Sequence, residues 1–410
     1  MVTLQTAENA LKNVYLGVVS NQLNVAVNPL LAQIKHSTSN IYGKEIRKAA
    51  PVGINGGVGA GAEDGELPIS SKTNYVQFVA QLKNLYGRLD ITDKAIRATS
   101  NNIASFVNLL NDEMERLIEA SNFNLGRMLY GTGDGCLAIC DSCNPSKSYF
   151  QVKSGIQNFV EGMVIRIEDV MGTNKHVDYT YTVTKVDRDN LRIHVDNGAN
   201  FNPNNVAKNG RIWVQNSLDS EITGIEGIFS NTTLYGLTKA DNPWLNPYVS
   251  TDTTYISDSA IQSVIDHLED YANSNVNYIA TTKAVRRLYQ EYLSAYRRNI
   301  DVTELAGGFK TITYNGIPVV GDRFVPDNTM YLLNTNDFTM YELCDWKWLE
   351  DESGRILKQN PNYPTYTATL VKYCELMCDR PNAQAKISNI ATTLTAPEGD
   401  DTSGTSGVQS

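Results

Sequence analysis

Residues 92–135, TDKAIRATSNNIASFVNLLNDEMERLIEASNFNLGRMLYGTGDG, constrain the fold more than any other stretch. Ile103, Phe106, Val107, Leu110, Met114, Leu117, Ile118, Leu125, Met128 and Leu129 recur at helical spacing, while Asp112, Glu113, Glu115, Arg116 and Glu119 fill the remaining surface. Ser100 and Asn101 are expected N-caps, and Gly131, Gly133 and Gly135 end the run because glycine accepts a left-handed turn. From Asn102 to Tyr130, at about 1.5 Å per residue, such a rod is about 43 Å long. That exceeds what a compact domain of ordinary size needs. One apolar stripe without a heptad repeat predicts a strut laid across a sheet.

A chain of 410 residues holds about two or three domains with proper cores, and 20% charged against 41% hydrophobic residues is a globular balance. The formal net charge of −10 argues against a mode of action based on wrapping or neutralising nucleic acid. It also sets copies repelling one another, so an assembly of this chain needs strong shape-driven contacts. No run of about 18 apolar residues is present to span a membrane. The first residues, MVTLQTAENALKNVYLGVVSNQLN, lack a basic region ahead of an apolar core and read as an amphipathic helix, not a signal peptide. The expectation is a soluble product made in the cytoplasm.

Six cysteines in a chain of this size do not suggest a disulfide scaffold. Cys136, Cys140 and Cys143 cluster, and Cys374 and Cys378 form a second group. Cys140 and Cys143 supply one CxxC pair, but a tetrahedral zinc site needs four ligands, and the nearest fourth would have to come from a distant segment. Reduced, non-ligating thiols are the expectation.

Residues 1–39 read as a helical arm and polar connector broken by Pro29. Ile41 to Val52 reads as a strand, Gly53 to Glu66 (GINGGVGAGAEDGE) as a glycine-rich tip, and Tyr75 to Ile91 as a long returning strand. Val76, Phe78, Ala80 and Leu82 share one face of it. A phosphate-cradling loop would need a Lys-Ser/Thr ending and an immediate helix. Here Glu63, Asp64 and Glu66 follow, then Pro68 and a strand, and those carboxylates repel phosphate. What remains is a two-stranded ribbon, marginal alone in water, whose apolar face needs a cover. Nothing nearby in sequence supplies one, so a neighbouring copy of the chain is the expected cover, with Val76, Phe78, Leu82, Glu63, Asp64 and Glu66 at the contact.

After the strut, 135–215 reads as five short strands (SYFQVK, MVIRI, YTYTVTKV, LRIHV, RIWV) punctuated by Asp189-Asn190, Asn197-Gly198 and Asn209-Gly210. This predicts a small inserted barrel or sandwich. His176 and His194 lie in it and are assigned no role. From Ser257 the pattern turns mixed: a helix capped by Ser257, a short strand at Val276 to Ala280, and a second helix capped by Thr281 or Thr282. A hairpin closed by Asn315-Gly316 follows. Strand-like runs fill Met340 to Ile390, with residues 370–375 alternating loosely as in a strand covered on one face. Residues 398–410 are too polar and small-sided to fold.

No GxSxG, HExxH, Walker or EF-hand spacing occurs. The paired carboxylates Asp351-Glu352 and Asp400-Asp401 sit in turn-like or disordered text. Trp346 and Trp348 flank Lys347 on one strand face, which predicts core packing over a stacking platform. Lys283, Arg286, Arg287, Arg297 and Arg298 cluster on a helical segment, an ordinary solvated face unless copies converge in a ring and create a local positive patch.

The order of these parts, ribbon, strut, mixed α/β unit and return strands, resembles the major capsid proteins of tailed phages with the Hong Kong 97-type fold. The resemblance is carried by YVQFVAQLKNLYGRLDITDKAIRAT, ITGIEGIFS, ITYNGIPVVGDRFVPDNTMYLLN and KYCELMCDRPNAQAKISNI. It implies an α+β chain with an N-terminal arm (1–40), an extended loop (41–91) and a spine helix (92–134). Peripheral segments (216–241 and 342–394), an axial domain (242–341) and a disordered tail (395–410) complete it. The β-domain at 135–215 is an addition to the minimal pattern.

By the same resemblance the protein is not an enzyme, takes no cofactor and binds no metal. It assembles with itself into pentamers and hexamers of an icosahedral head in the host bacterial cytoplasm. The head encloses double-stranded DNA without reading its sequence and works with a portal and a separate scaffolding protein. It has no membrane association. Arg286, Arg287, Arg297 and Arg298 would line the axial ring. An acidic balance suits a shell filled by a motor, because a basic lining hinders movement of the duplex. Two rivals from other classes are an encapsulin-like cellular compartment and a metal- or glycan-binding module built on the inserted β-domain.

Overall fold

The computed structural model describes residues 28–72, 74–94, 103–144, 148–168, 180–196, 209–251, 255–296, 302–304, 310–352 and 354–391. The strut helix runs Ile103–Leu129. Its described buried apolar side chains, Ile118, Leu125, Met128 and Leu129, lie at the helical spacing expected. The capping residues proposed for its N-terminus lie outside the described residues.

The strut packs on a five-stranded sheet. Thr365–Cys378 is central, flanked by Phe338–Trp348 on one side and Lys83–Thr92 on the other, with Lys35–Ser37 at one edge and the short Lys358–Gln359 alongside. Lys83–Thr92 alternates strictly, with Leu85, Leu89 and Ile91 buried and Asn84, Tyr86, Arg88 and Asp90 exposed. Gly87 takes the contact with the strut, since an added Cβ there would meet Leu117 Cδ1 at 3.1 Å. Thr365–Cys378 departs from the expectation of a strand covered on one face. From Leu370 onward every residue except Tyr373 is buried, because the segment after the barrel covers its second face. Trp346 and Trp348 are core residues, as expected.

A second sheet has seven strands in the order Tyr248–Ser250, Ala385–Ile387, Met330–Leu333, Tyr278–Thr281, Ile317–Gly321, Lys310–Tyr314, Val302–Glu304. Two helices cover one face, Asp258–Ala272 and Lys283–Tyr296. Ser257 Oγ accepts from the Ala260 N–H at 3.2 Å and Thr282 Oγ1 from the Val285 N–H at 3.2 Å, the caps read from sequence. Asn315 (φ 46°) and Gly316 (φ 82°) close the hairpin with positive φ at both central positions, as a type I′ turn demands. Ala385–Ile387 belongs to this sheet although it lies within the stretch expected to return to the peripheral unit.

The insertion is a closed barrel of six strands, not five: Arg192–Val195, Tyr149–Val152, Cys136–Asn144, Arg211–Val214, Val164–Ile167 and Tyr181–Asp187 in order around it. The extra strand holds the cysteine cluster. Its register shift between Cys140 and Ser142 breaks the alternation that would have exposed it in the sequence. Closure leaves the barrel without a free edge and with a core of its own, including Phe150, Phe159, Ile165, Val183, Ile193 and Ile212.

Candidate assembly surfaces

The ribbon is built from Glu45–Val52 paired with Asn74–Gln81 in antiparallel register, Glu45 opposite Gln81 and Val52 opposite Asn74. The expected single strand from Tyr75 to Ile91 divides at Leu82. Its first part pairs within the ribbon and its second pairs with Thr365–Cys378, so the chain changes sheets there. The face bearing Phe78 differs from expectation. Phe78 is completely buried, with its ring 5.3 Å from Tyr235 and stacked 5.9 Å from Trp244 at 14°. The Val79 N–H donates to Tyr235 O at 3.1 Å. Leu82 and Ala80 are half-buried against the same core. The chain therefore covers the root of its own ribbon, with aromatics from a connector about 150 residues downstream that no local pattern could link to it. Phe78 is a core residue, and only its half-buried neighbour Val76 lies toward the open end.

Beyond the root the ribbon opens into residues 53–72, which contain neither strand nor helix. Here Ile54 is 90% exposed, Val58 89%, Leu67 86% and Ile69 90%, and Glu63, Asp64 and Glu66 are exposed beside them. Large aliphatic side chains left this open cost free energy unless something covers them. Glycines surround Ile54 and Val58, and Pro68 separates Leu67 from Ile69, so the four follow no helical or strand period.

Of the four arginines expected to line a ring, two are described. Arg287 is exposed and Arg286 is half-buried against Gly321, while Arg297 and Arg298 lie outside the described residues.

Where the strut ends, polar groups are buried. Arg127 and Glu221 form a two-fold ion pair at 2.8 and 2.5 Å, tying the barrel's return segment to the last turn of the strut. Glu375 Oε1 accepts from the Thr223 N–H at 2.7 Å, and among the described residues its Oε2 has no hydrogen-bond partner. Burial pushes this carboxyl up to about 7. Lys372, also buried, sits 2.9 Å from both Glu342 and Asp345, and His36 Nδ1 is 2.8 Å from Glu342, which links the N-terminal edge strand to the same network. Burial pushes the Cys136 and Cys143 thiols up to about 11 and Cys140 up to about 12, so none is thiolate at neutral pH. Among the described residues no group of three or more His, Cys, Asp or Glu is placed to hold a metal ion.

The sequence matches no family model and no curated protein. Among solved structures, the capsid asymmetric unit of cyanophage A-1(L) superposes with a TM-score of 0.53, covering 93% of this chain and 95% of that one at 12% identity. The chain has the Hong Kong 97-type capsid fold. At that identity the likeness speaks for the fold alone. The holo-SrpI encapsulin of Synechococcus elongatus PCC 7942 aligns at 10% identity over 89% of this chain and 88% of its own, with a TM-score of 0.48. The capsid of a native GTA particle aligns at 11% identity over 88% and 90%, with a TM-score of 0.44. In chain order the ribbon precedes the strut, and the closed barrel lies between the strut and the seven-stranded sheet.

Proposed function

We propose that this chain is the major shell subunit of a phage head, assembling into hexamers and pentamers around double-stranded DNA, with a portal and a separate scaffold as partners. The observation that carries the reading is the ribbon tip. A capsid-fold subunit with complete cores of its own still holds out Ile54, Val58, Leu67 and Ile69 at 86–90% exposure, and a second copy is the cover that such a fold repeats. Glu63, Asp64 and Glu66 keep the tip soluble before it docks. The head is a virion component assembled in the bacterial cytoplasm, and the chain acts by contact, without a catalytic or cofactor site.

The test is electron microscopy and sedimentation of the purified protein, compared with a variant carrying serine at Ile54, Val58, Leu67 and Ile69. The expected result is closed particles from the wild type and soluble, folded subunits from the variant. A wild type that stays monomeric at high concentration, or a variant that forms normal particles, overturns the assignment.

A further inference from the structure

The two helices on the seven-stranded sheet carry opposite surface chemistry at opposite ends. On Asp258–Ala272, the His267 ring stacks on Tyr248 at 3.8 Å and lies tilted against Tyr271 at 4.4 Å, making a three-ring ladder on the surface. Tyr271 closes the ladder at 79% exposure, so most of its ring is open to solvent. Asp266, Glu269 and Asp270 are exposed beside it. On Lys283–Tyr296, the exposed Lys283 and Arg287 and the half-buried Arg286 supply positive charge to the first turns.

Topology keeps these two patches apart. Tyr248 begins the edge strand Tyr248–Ser250, which runs parallel to Ala385–Ile387. Met330–Leu333 is antiparallel to both Ala385–Ile387 and Tyr278–Thr281, so Tyr248–Ser250 runs in the same direction as Tyr278–Thr281. The ladder thus sits at the start of these strands and at the sheet edge. Lys283 follows the end of Tyr278–Thr281 after the single residue Thr282, and Arg286 lies against Gly321 at the end of Ile317–Gly321, so the basic patch sits where the strands finish and three strands further in. The patches cannot neutralise each other within one chain. Complementary patches at opposite ends suit a head-to-tail contact between copies, which generates a ring when its rotation closes.

We propose that the Lys283–Arg287 end of one copy docks on the Tyr248–His267–Tyr271 ladder of the next, the Arg287 guanidinium lying over the Tyr271 ring and the ladder's carboxylates facing Lys283. A guanidinium fits both halves of the surface, since it is attracted to the face of a tyrosine and pairs with carboxylates. The inference rests on the shell reading and names the contact that closes its rings.

The test uses the full chain with Arg287→Glu, Asp270→Arg, both together, and Tyr271→Ala, read by sedimentation and negative-stain microscopy. All these side chains are exposed, so thermal midpoints should match the wild type. Each charge reversal is expected to raise the threshold concentration for particles by about tenfold or more, and the double exchange to return it toward the wild-type value. Tyr271→Ala should raise the threshold without changing net charge. A wild type that never assembles refutes the shell reading itself. Particles from every variant at the wild-type threshold, or folded double variants that remain unassembled, refute the ladder contact and leave the shell reading standing.

Discussion

Glu375 offers a stability measurement whose sign and size follow from its surroundings. The carboxyl is buried beneath the barrel's return segment, with one oxygen receiving the Thr223 N–H and the other without a hydrogen-bond partner among the described residues. Burial raises it from an ordinary 4.5 to about 7, with the hydrogen bond from Thr223 and the Lys83 charge opposing that rise. Below about pH 4.5 the group is protonated in both folded and unfolded chains and contributes no pH dependence. Between about 4.5 and 7 the unfolded chain releases the proton while the folded one keeps it, so stability falls as pH rises. Above about 7 both forms are ionised and the loss is complete. A difference of about 2.5 pH units corresponds to about 3 kcal/mol. Glu375→Gln keeps the shape and the acceptor for Thr223 but has no charge to bury. The variant should match the wild type near pH 4.5 and exceed it by about 3 kcal/mol at pH 8. The assay is urea unfolding of the unassembled subunit by tryptophan fluorescence and circular dichroism at half-unit steps, reading the wild-type-minus-variant difference so that other titrations cancel. A difference that stays flat across this range would mean that the carboxyl is ionised in the folded chain, and the account of its burial would be wrong.

Three further outcomes are expected from the junction and the ribbon root. Phe78→Ala should cost about 3–5 kcal/mol in unfolding experiments, because it opens a cavity between Tyr235 and Trp244; a loss of assembly with unchanged stability would contradict the enclosed root. Arg127→Met alone should cost about 3–5 kcal/mol by leaving Glu221 buried and unpaired, whereas Arg127→Met with Glu221→Leu should recover most of that loss in a double-mutant cycle. Gly224→Ala should give insoluble protein or a much lowered thermal midpoint, since its Cβ would overlap Met128 O and lie 2.7 Å from Gly131 N where the barrel's return segment crosses the end of the strut.

The parts of the fold legible in sequence were those governed by local rules. The strut, the two capped helices and the Asn315-Gly316 hairpin each follow from spacing, a cap or a turn residue within a few positions. The sixth barrel strand was hidden because a bulge at Cys140 and Ser142 interrupts its alternation. The partners of Phe78 were hidden for a different reason: Tyr235 and Trp244 reach it through folding, and sequence distance carries no trace of that contact. Glu375 and Lys372 looked like ordinary alternating strand residues. Their burial depends on what lies across the second face of Thr365–Cys378, which only the topology decides. The tip residues were visible as letters but not as a surface, since a segment broken by glycines and Pro68 has no period to read.

The division of the ribbon into an enclosed root and an open tip also limits how the tip can bind. Covering four aliphatic side chains yields about 6–12 kcal/mol. Fixing the backbone of even ten residues between 53 and 72 costs about 10–20 kcal/mol. The apolar contacts alone therefore leave little or nothing, and with ten charges in excess repelling between copies the balance becomes worse. The deficit closes if docking also gives the tip's backbone hydrogen-bond partners, as happens when an extended segment pairs with an exposed strand edge. Glycine suits that arrangement because it lets two backbones approach closely, although it adds to the entropy that must be overcome. The root then matters energetically: by holding Phe78 and Leu82 in its own core the subunit presents the tip from a fixed base, so that only the distal residues have to be ordered when copies meet.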